Sequence, residues 1–173
     1  CSENLTPVTL ELGGKSPTLV APGYSLQRAA ETILWGKCLN SGQTCVAPDY
    51  LFLPAGSETE FIEHAMAAVA RNYPQPLGAN PDYSCMINAR QLARVEALLA
   101  DARDKGALVV ALADAEEARR AGKLAPHLLF NVRDDMQIMQ EEIFGPLLPV
   151  LIYQQLEEAV DYINAHERPL ALY

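Results

Sequence analysis

Three short segments of this chain carry residue types that can do chemistry together. In Leu10-Glu11-Leu12-Gly13-Gly14-Lys15-Ser16-Pro17, a carboxylate follows a β-prone run and precedes two glycines. Such glycines let backbone pass close to a ligand or a neighbouring segment. A carboxylate held in a cleft is placed to act as a general base; the same residues also read as a glycine-rich turn with Glu11 solvated. In Asn40-Ser41-Gly42-Gln43-Thr44-Cys45, a thiol follows a helix end and precedes an apolar run, in a polar loop. Reactive cysteines need partial exposure and surroundings that favour the thiolate, whereas structural ones are buried and inert. Cys38, late in an amphipathic run, reads as packing, and Cys85 lies beyond a proline-rich loop without catalytic context. Gln140-Glu141-Glu142-Ile143-Phe144-Gly145-Pro146 sets two carboxylates before an aromatic and a Gly-Pro turn. It reads either as a loop touching a cofactor, with a carboxylate for ribose hydroxyls and a ring face for a flat group, or as an acidic helix end and turn. A base, a nucleophile and a cofactor contact on separate loops are the parts needed for covalent catalysis.

Loops of this kind must be held by regular elements, and the pattern supplies them. Val8 to Glu11 and Thr18 to Val20 are short β-prone runs. Ser25 is placed to cap a helix whose face is Leu26, Ala29, Ala30, Ile33 and Leu34, the spacing of one helical stripe. Asn40-Ser41-Gly42 ends it. Tyr50 to Leu53 reads as a buried strand. Ser57 and Glu60 have capping-box spacing, before a helix face of Phe61, Ile62, Ala65, Met66 and Val69. Residues 72–82, with three prolines and a glycine, read as a surface loop. Asn88 caps a helix with face Leu92, Val95, Leu98 and Leu99. Strands are expected over 107–112, 127–131 and 147–153, a short helix over 114–121, and a last helix with face Leu156, Ala159, Val160 and Ile163. Leu170 to Tyr173 reads as the start of a further strand. Strands alternating with helices predict an α/β fold: a three-layer, open, mostly parallel sheet with helices on both faces. Some antiparallel pairing is compatible with the same pattern.

The 173 residues match one domain with room for a core. A net charge of −9 repels phosphate backbones and anionic lipid, which argues against nucleic acid and membrane surfaces as partners. No apolar run reaches the length of a membrane-spanning helix. The four cysteines include no CxxC pair, and the three histidines are scattered with no HExxH, so no metal site is expected. Sparse cysteine fits reduced thiols in a cytoplasm-like compartment.

On these three segments the chain resembles the aldehyde dehydrogenases. Glu11 stands in the family's LELGGK motif, which supplies the general base, and Cys45 in its glycine-Gln-x-Cys motif, which supplies the nucleophile. Their separation of 34 positions fits the family spacing. Glu142 and Phe144 stand in the EIFGP motif, which contacts the nicotinamide ribose and ring, and Leu12 is implied as a further cofactor contact. The stretches 42–50, 80–83, 87–90 and 169–173 resemble the branch that acts on fatty and aromatic aldehydes, with the nearest likeness to bacterial coniferyl aldehyde dehydrogenases. The resemblance implies NAD or NADP as cofactor, a small-molecule aldehyde as substrate, no metal, a cytoplasmic location and a homodimeric parent. It further implies that residues 1–173 are the nucleophile-bearing catalytic part of a longer enzyme and are inactive alone. The family's cofactor domain, with an asparagine that donates to the oxyanion, and its C-terminal oligomerisation part would lie outside this chain. Two readings stand against it. One is a non-catalytic homologue serving as a scaffold, which the presence of both Cys45 and Glu11 disfavours. The other is a relative that reduces acyl phosphates or acyl-CoA, which would not need the water-activating Glu11.

Overall fold

The computed structural model describes residues 2–10 and 12–173; Cys1 and Glu11 lie outside them. Five strands form one sheet in the order β1-β2-β5-β4-β3. They are β1 (Pro17–Leu19), β2 (Tyr50–Pro54), β3 (Leu108–Ala111), β4 (His127–Phe130) and β5 (Leu147–Tyr153). β1, β2, β5 and β4 run parallel, and β3 closes one edge antiparallel to β4. The mostly parallel sheet is as the sequence alternation predicts, and β3 supplies the antiparallel pairing.

The strand residues alternate between two cores. Leu51, Leu53, Leu128, Phe130, Leu148 and Val150 point to one face, where α1 (Leu26–Cys38) and α2 (Glu58–Asn72) pack. Tyr50, Phe52, Leu129, Leu147 and Tyr153 point to the other, against α3 (Ala89–Asp104), α5 (Gln137–Gln140) and α6 (Leu156–Ala165). Strands apolar on both faces are what a parallel sheet under two helical layers requires. Each fully buried leucine or valine here contributes roughly 1.5–3 kcal/mol. α4 (Ala115–Arg120) joins the first core through Ala118.

Helix starts follow local chemistry in three places. Ser25 Oγ accepts from Arg28 N–H, Asn88 Oδ1 from Gln91 N–H, and Asp114 Oδ1 from Glu117 N–H. The α1 stripe is buried as predicted, with Ala29, Ala30, Ile33 and Leu34 inside.

Several expectations are corrected. Ser57 precedes α2 but makes no capping box: its hydroxyl donates back to the Pro54 carbonyl at 2.5 Å, the turn competing successfully for it. On α2, Met66 is exposed and Ala68 takes the core position. On α6, Leu156 and Val160 remain partly exposed. That helix docks through Ala159 and Ile163 of the expected face and through Tyr162, whose ring meets Tyr50 and Phe52 edge-on at 6.0 and 5.5 Å. Val8 to Leu10 form no strand and are exposed, because β-propensity is expressed only against a paired neighbour. Leu170 to Tyr173 form no strand either, although Tyr173 exchanges two backbone hydrogen bonds with the outer edge of β1, at Pro17 and Leu19.

The proline-rich stretch after α2 has no helix or strand, yet it is not simply surface. Leu77 and Asn80 are buried. The buried ammonium of Lys123 donates to the Leu77 carbonyl at 2.9 Å and the Asn80 carbonyl at 2.6 Å. The Gly78 N–H meets both Glu117 carboxylate oxygens. Lys123→Met keeps the side-chain bulk but orphans both carbonyls. It is expected to cost about 2–3 kcal/mol, read as a lower urea midpoint with an unchanged slope; an unaltered midpoint would show that these bonds do not hold the loop.

Candidate active site

The sheet explains why the three motif segments meet. Residues 13–16 lead into β1, 45–49 into β2 and 142–146 into β5, and these three strands are adjacent and parallel. All three entry loops therefore emerge side by side at the amino ends of the strands. Ligands of open α/β sheets more often sit at the carboxyl ends.

Side chains that the motifs did not single out lock the loops together. Asp49 is buried. Its Oδ2 accepts from Lys15 Nζ, its Oδ1 accepts from the Ile143 N–H at 2.9 Å, and its own N–H donates to Ser16 O at 2.8 Å. Lys15 donates further to the carbonyls of Ile138 (2.8 Å) and Glu141 (3.1 Å). Arg94, from α3, donates to the carbonyls of Glu142 (3.3 Å) and Ile143.

Cys45 is exposed, in a turn closed by Ala47 N–H to Thr44 O at 3.1 Å. The turn is positioned by three successive left-handed residues, Asn40, Ser41 and Gly42, which break the chain away from α1. Only glycine fits the third: with φ of +73°, a Cβ on Gly42 would lie 2.3 Å from the Gly145 carbonyl oxygen. The Cys45 loop and the EIFGP loop thus touch backbone to backbone. Gln43 clamps the loop from outside, its Nε2 donating to the Asn40 and Cys85 carbonyls and its Oε1 accepting from Ile87 N–H at 2.8 Å. Cys38, by contrast, is buried in α1, and burial pushes its thiol up to about 12.

Glu142 is half-buried against the Gly13-Gly14 backbone, where a Cβ on Gly13 would lie 2.7 Å from a carboxylate oxygen. Burial raises its pKa above the ordinary carboxylate value, opposed by the Gly14 N–H; Asp49 raises it too, while Lys15 and Arg94 lower it. Phe144 holds a left-handed backbone (φ +50°) and presents an exposed ring, and Leu12 is exposed. Glu11 lies outside the described residues. Beside the Cys45 turn, an apolar groove of about 430 Å³ is lined by Trp35, Leu39, Tyr24, Tyr173 and the two neighbours of Cys45, Thr44 and Val46. Among the described residues, no group of three or more His, Cys, Asp or Glu side chains gathers as a metal site would, and no helix is long and apolar enough to cross a membrane.

The aldehyde dehydrogenase family model matches residues 1–173, the whole of the chain. The chain belongs to the aldehyde dehydrogenase family. A Pseudomonas aeruginosa relative named "Probable coniferyl aldehyde dehydrogenase" is 54% identical over 172 residues, covering 99% of this chain and 35% of the relative. The substrate-bound structure of Staphylococcus aureus AldH superposes with a TM-score of 0.88 at 40% identity, over 99% of this chain and 36% of that one. An indole-3-acetaldehyde dehydrogenase solved with NAD+ superposes with a TM-score of 0.73 at 29% identity, over 87% of this chain and 31% of that one. The chain spans about a third of the length of the curated relatives it matches.

Lys37 in α1 was not singled out by its sequence context, which is an ordinary helical one. It is buried, and its ammonium has no partner among the described residues. Burial lowers its pKa to about 8, with Asp49 opposing. Its folded-state pKa is below the unfolded value, so the unfolded chain binds more protons between pH 8 and about 10.5, and stability rises with pH through that window. Lys37→Met should therefore stabilise at pH 7 by an amount on the order of 3 kcal/mol, a gain that fades as the pH passes 8 and is gone above about 10.5. Urea denaturation at pH 7 and pH 10 tests this; destabilisation by the substitution at pH 7 would mean that the ammonium is paired in the native protein.

Proposed function

We propose that this chain is the nucleophile-bearing part of an enzyme that oxidises an aldehyde to the carboxylic acid with NAD or NADP, through a thioester on Cys45. The observation that carries this reading is the placement of an exposed thiol beside an apolar groove, on a loop that touches the EIFGP loop backbone to backbone. In the mechanism, the Cys45 thiolate adds to the aldehyde carbon, forming a C–S bond and an oxyanion. The Cys45 backbone N–H would donate to that oxyanion, which is how oxyanion stabilisation works. A nicotinamide held by Glu142 and Phe144 would supply the hydride acceptor for this carbon, and the oxyanion would collapse to the thioester. Glu11 then takes a proton from water, whose oxygen attacks the thioester and releases the acid and the thiol.

The chain's own residues fit such a cofactor. Glu142 offers a half-buried carboxylate for ribose hydroxyls, seated against the bare backbone of Gly13, and Phe144 offers an exposed ring face. Leu12, exposed next to Gly13, completes this edge. The groove of Trp35, Leu39, Val46 and the two tyrosines is apolar and aromatic. This supports an aromatic, coniferyl-like, or fatty aldehyde, in line with the names of the similar proteins. The full-length enzyme is read as a homodimer, with a cofactor domain outside this chain.

In the full-length protein, p-nitrophenyl acetate should acylate Cys45 far faster than Cys38 or Cys85, mapped by peptide mass spectrometry, whereas the isolated 173-residue chain should form no NADH from an aromatic aldehyde and NAD+. Even labelling of the three thiols would remove Cys45 from its role. For the base, Glu11→Gln is expected to slow thioester hydrolysis by roughly 10²–10⁴-fold, and Glu142→Gln by much less. Pre-steady-state kinetics with the reverse order would move the base to Glu142.

A further inference from the structure

The EIFGP loop has a conformation that its own sequence does not favour. Phe144 holds a positive φ, costly for a side chain of that size. Such strain persists only when the surroundings over-determine it. Here the surroundings are specific. The Arg94 guanidinium donates to the Glu142 and Ile143 carbonyls, and its Nη1 lies 3.6 Å from Glu141 Oε1. From the other side Asp49 accepts the Ile143 N–H, and the Ile143 side chain is fully buried. The next residue on α3, Val95, packs so closely on Gly145 that a Cβ there would lie 2.8 Å from it. Arg94 is itself oriented by Gln91, whose Oε1 accepts from Arg94 Nε at 3.0 Å. A planar fork that meets two successive carbonyls fixes the direction of a peptide segment in a way that a single ammonium cannot.

We propose that Arg94 is a positioning residue for the dinucleotide cofactor. By holding the backbone on both sides of Ile143, it aims the Glu142 carboxylate and the Phe144 ring at the ribose and nicotinamide. This rests on the reading of Glu142 and Phe144 as cofactor contacts given above. Arg94 acts from α3, outside the Cys45 turn, by holding the loop and not by touching the cofactor.

The test uses the full-length protein, with NADH and NADPH binding followed by nucleotide fluorescence and Cys45 acylation by p-nitrophenyl acetate followed in parallel. Arg94→Ala is expected to weaken binding of the preferred nucleotide at least tenfold, with a much smaller effect on acylation. Millimolar guanidinium should restore a good part of the affinity by filling the vacated fork, a rescue that a merely structural role would not give. If Arg94→Ala does not fold, Arg94→Lys carries the test, keeping the charge but losing the fork, with a weakening of severalfold expected. Nucleotide affinity within twofold of the unsubstituted protein overturns the proposal, as does a loss of affinity and acylation together without rescue. Glu142→Gln and Phe144→Ala separate the two readings. If they weaken the nucleotide and the Arg94 variants do not, Arg94 alone is misassigned. If neither weakens it, the cofactor reading of the loop falls, and this proposal falls with it.

Discussion

The pairing of Lys15 with Asp49 joins the entries of β1 and β2 and, through the remaining bonds of each partner, the loop that enters β5. Asp49 is 3% exposed. Withdrawing a carboxylate from water costs several kcal/mol unless its oxygens are fully engaged. Both oxygens are engaged, one by the Lys15 ammonium and the other by the Ile143 N–H. The geometry that satisfies this one buried charge is also the geometry that brings the GGK, Cys45 and EIFGP segments together. Loss of either partner would leave the other charged in a semi-buried pocket, so the pair acts as a requirement on how the loops assemble more than as a source of net stability.

A parallel sheet is what makes such a node available. Parallel neighbours deliver their entry loops to the same end, and β1, β2 and β5 are consecutive in space although β5 follows β2 by more than ninety residues in sequence. The intervening chain supplies α3, and α3 supplies both Arg94 and Val95, which bear on the 142–145 backbone. The candidate site is therefore built from long-range consequences of the fold, while Cys45, Glu142 and Phe144 sit on short local motifs.

That division sets how much was legible beforehand. The α1 stripe, the Asn88 and Ser25 caps, the break at Asn40-Ser41-Gly42 and the two-faced strands are encoded in neighbours three or four residues apart, and the sequence pattern predicts them. The Ser57 hydroxyl, the docking face of α6 and the buried Leu77–Asn80 stretch depend on what happens to lie opposite, and periodicity carries no information about that. Lys15, Asp49 and Arg94 look like ordinary surface charges in their local context. Apart from Gln91 beside Arg94, the partners of their side chains lie between 34 and 126 positions away, so spacing rules cannot reach them. The one available signal was indirect: Lys15 and Asp49 each belong to a segment that also carries a reactive residue.

The contrast between Cys38 and Cys45 shows how local backbone chemistry turns a core position into an exposed one. The two thiols are seven residues apart, nearly two helical turns, and residues i and i+7 share one face of a helix. Had α1 continued, Cys45 would have projected along the same buried stripe as Cys38, whose thiol burial holds in the neutral form. Three left-handed residues prevent this. The Asn40 side chain offsets part of their cost by donating to the Gln43 carbonyl at 3.2 Å, the Ser41 hydroxyl by donating to Ser84, and Gly42 incurs none of the steric penalty a Cβ would bring. The break lifts Cys45 out of the core and presses Gly42 against Gly145, so exposure of the thiol and the contact of its loop with the EIFGP loop are one event. A substitution that restored helical geometry at residues 40–42 would bury the thiol and separate the loops together, without altering any reactive group.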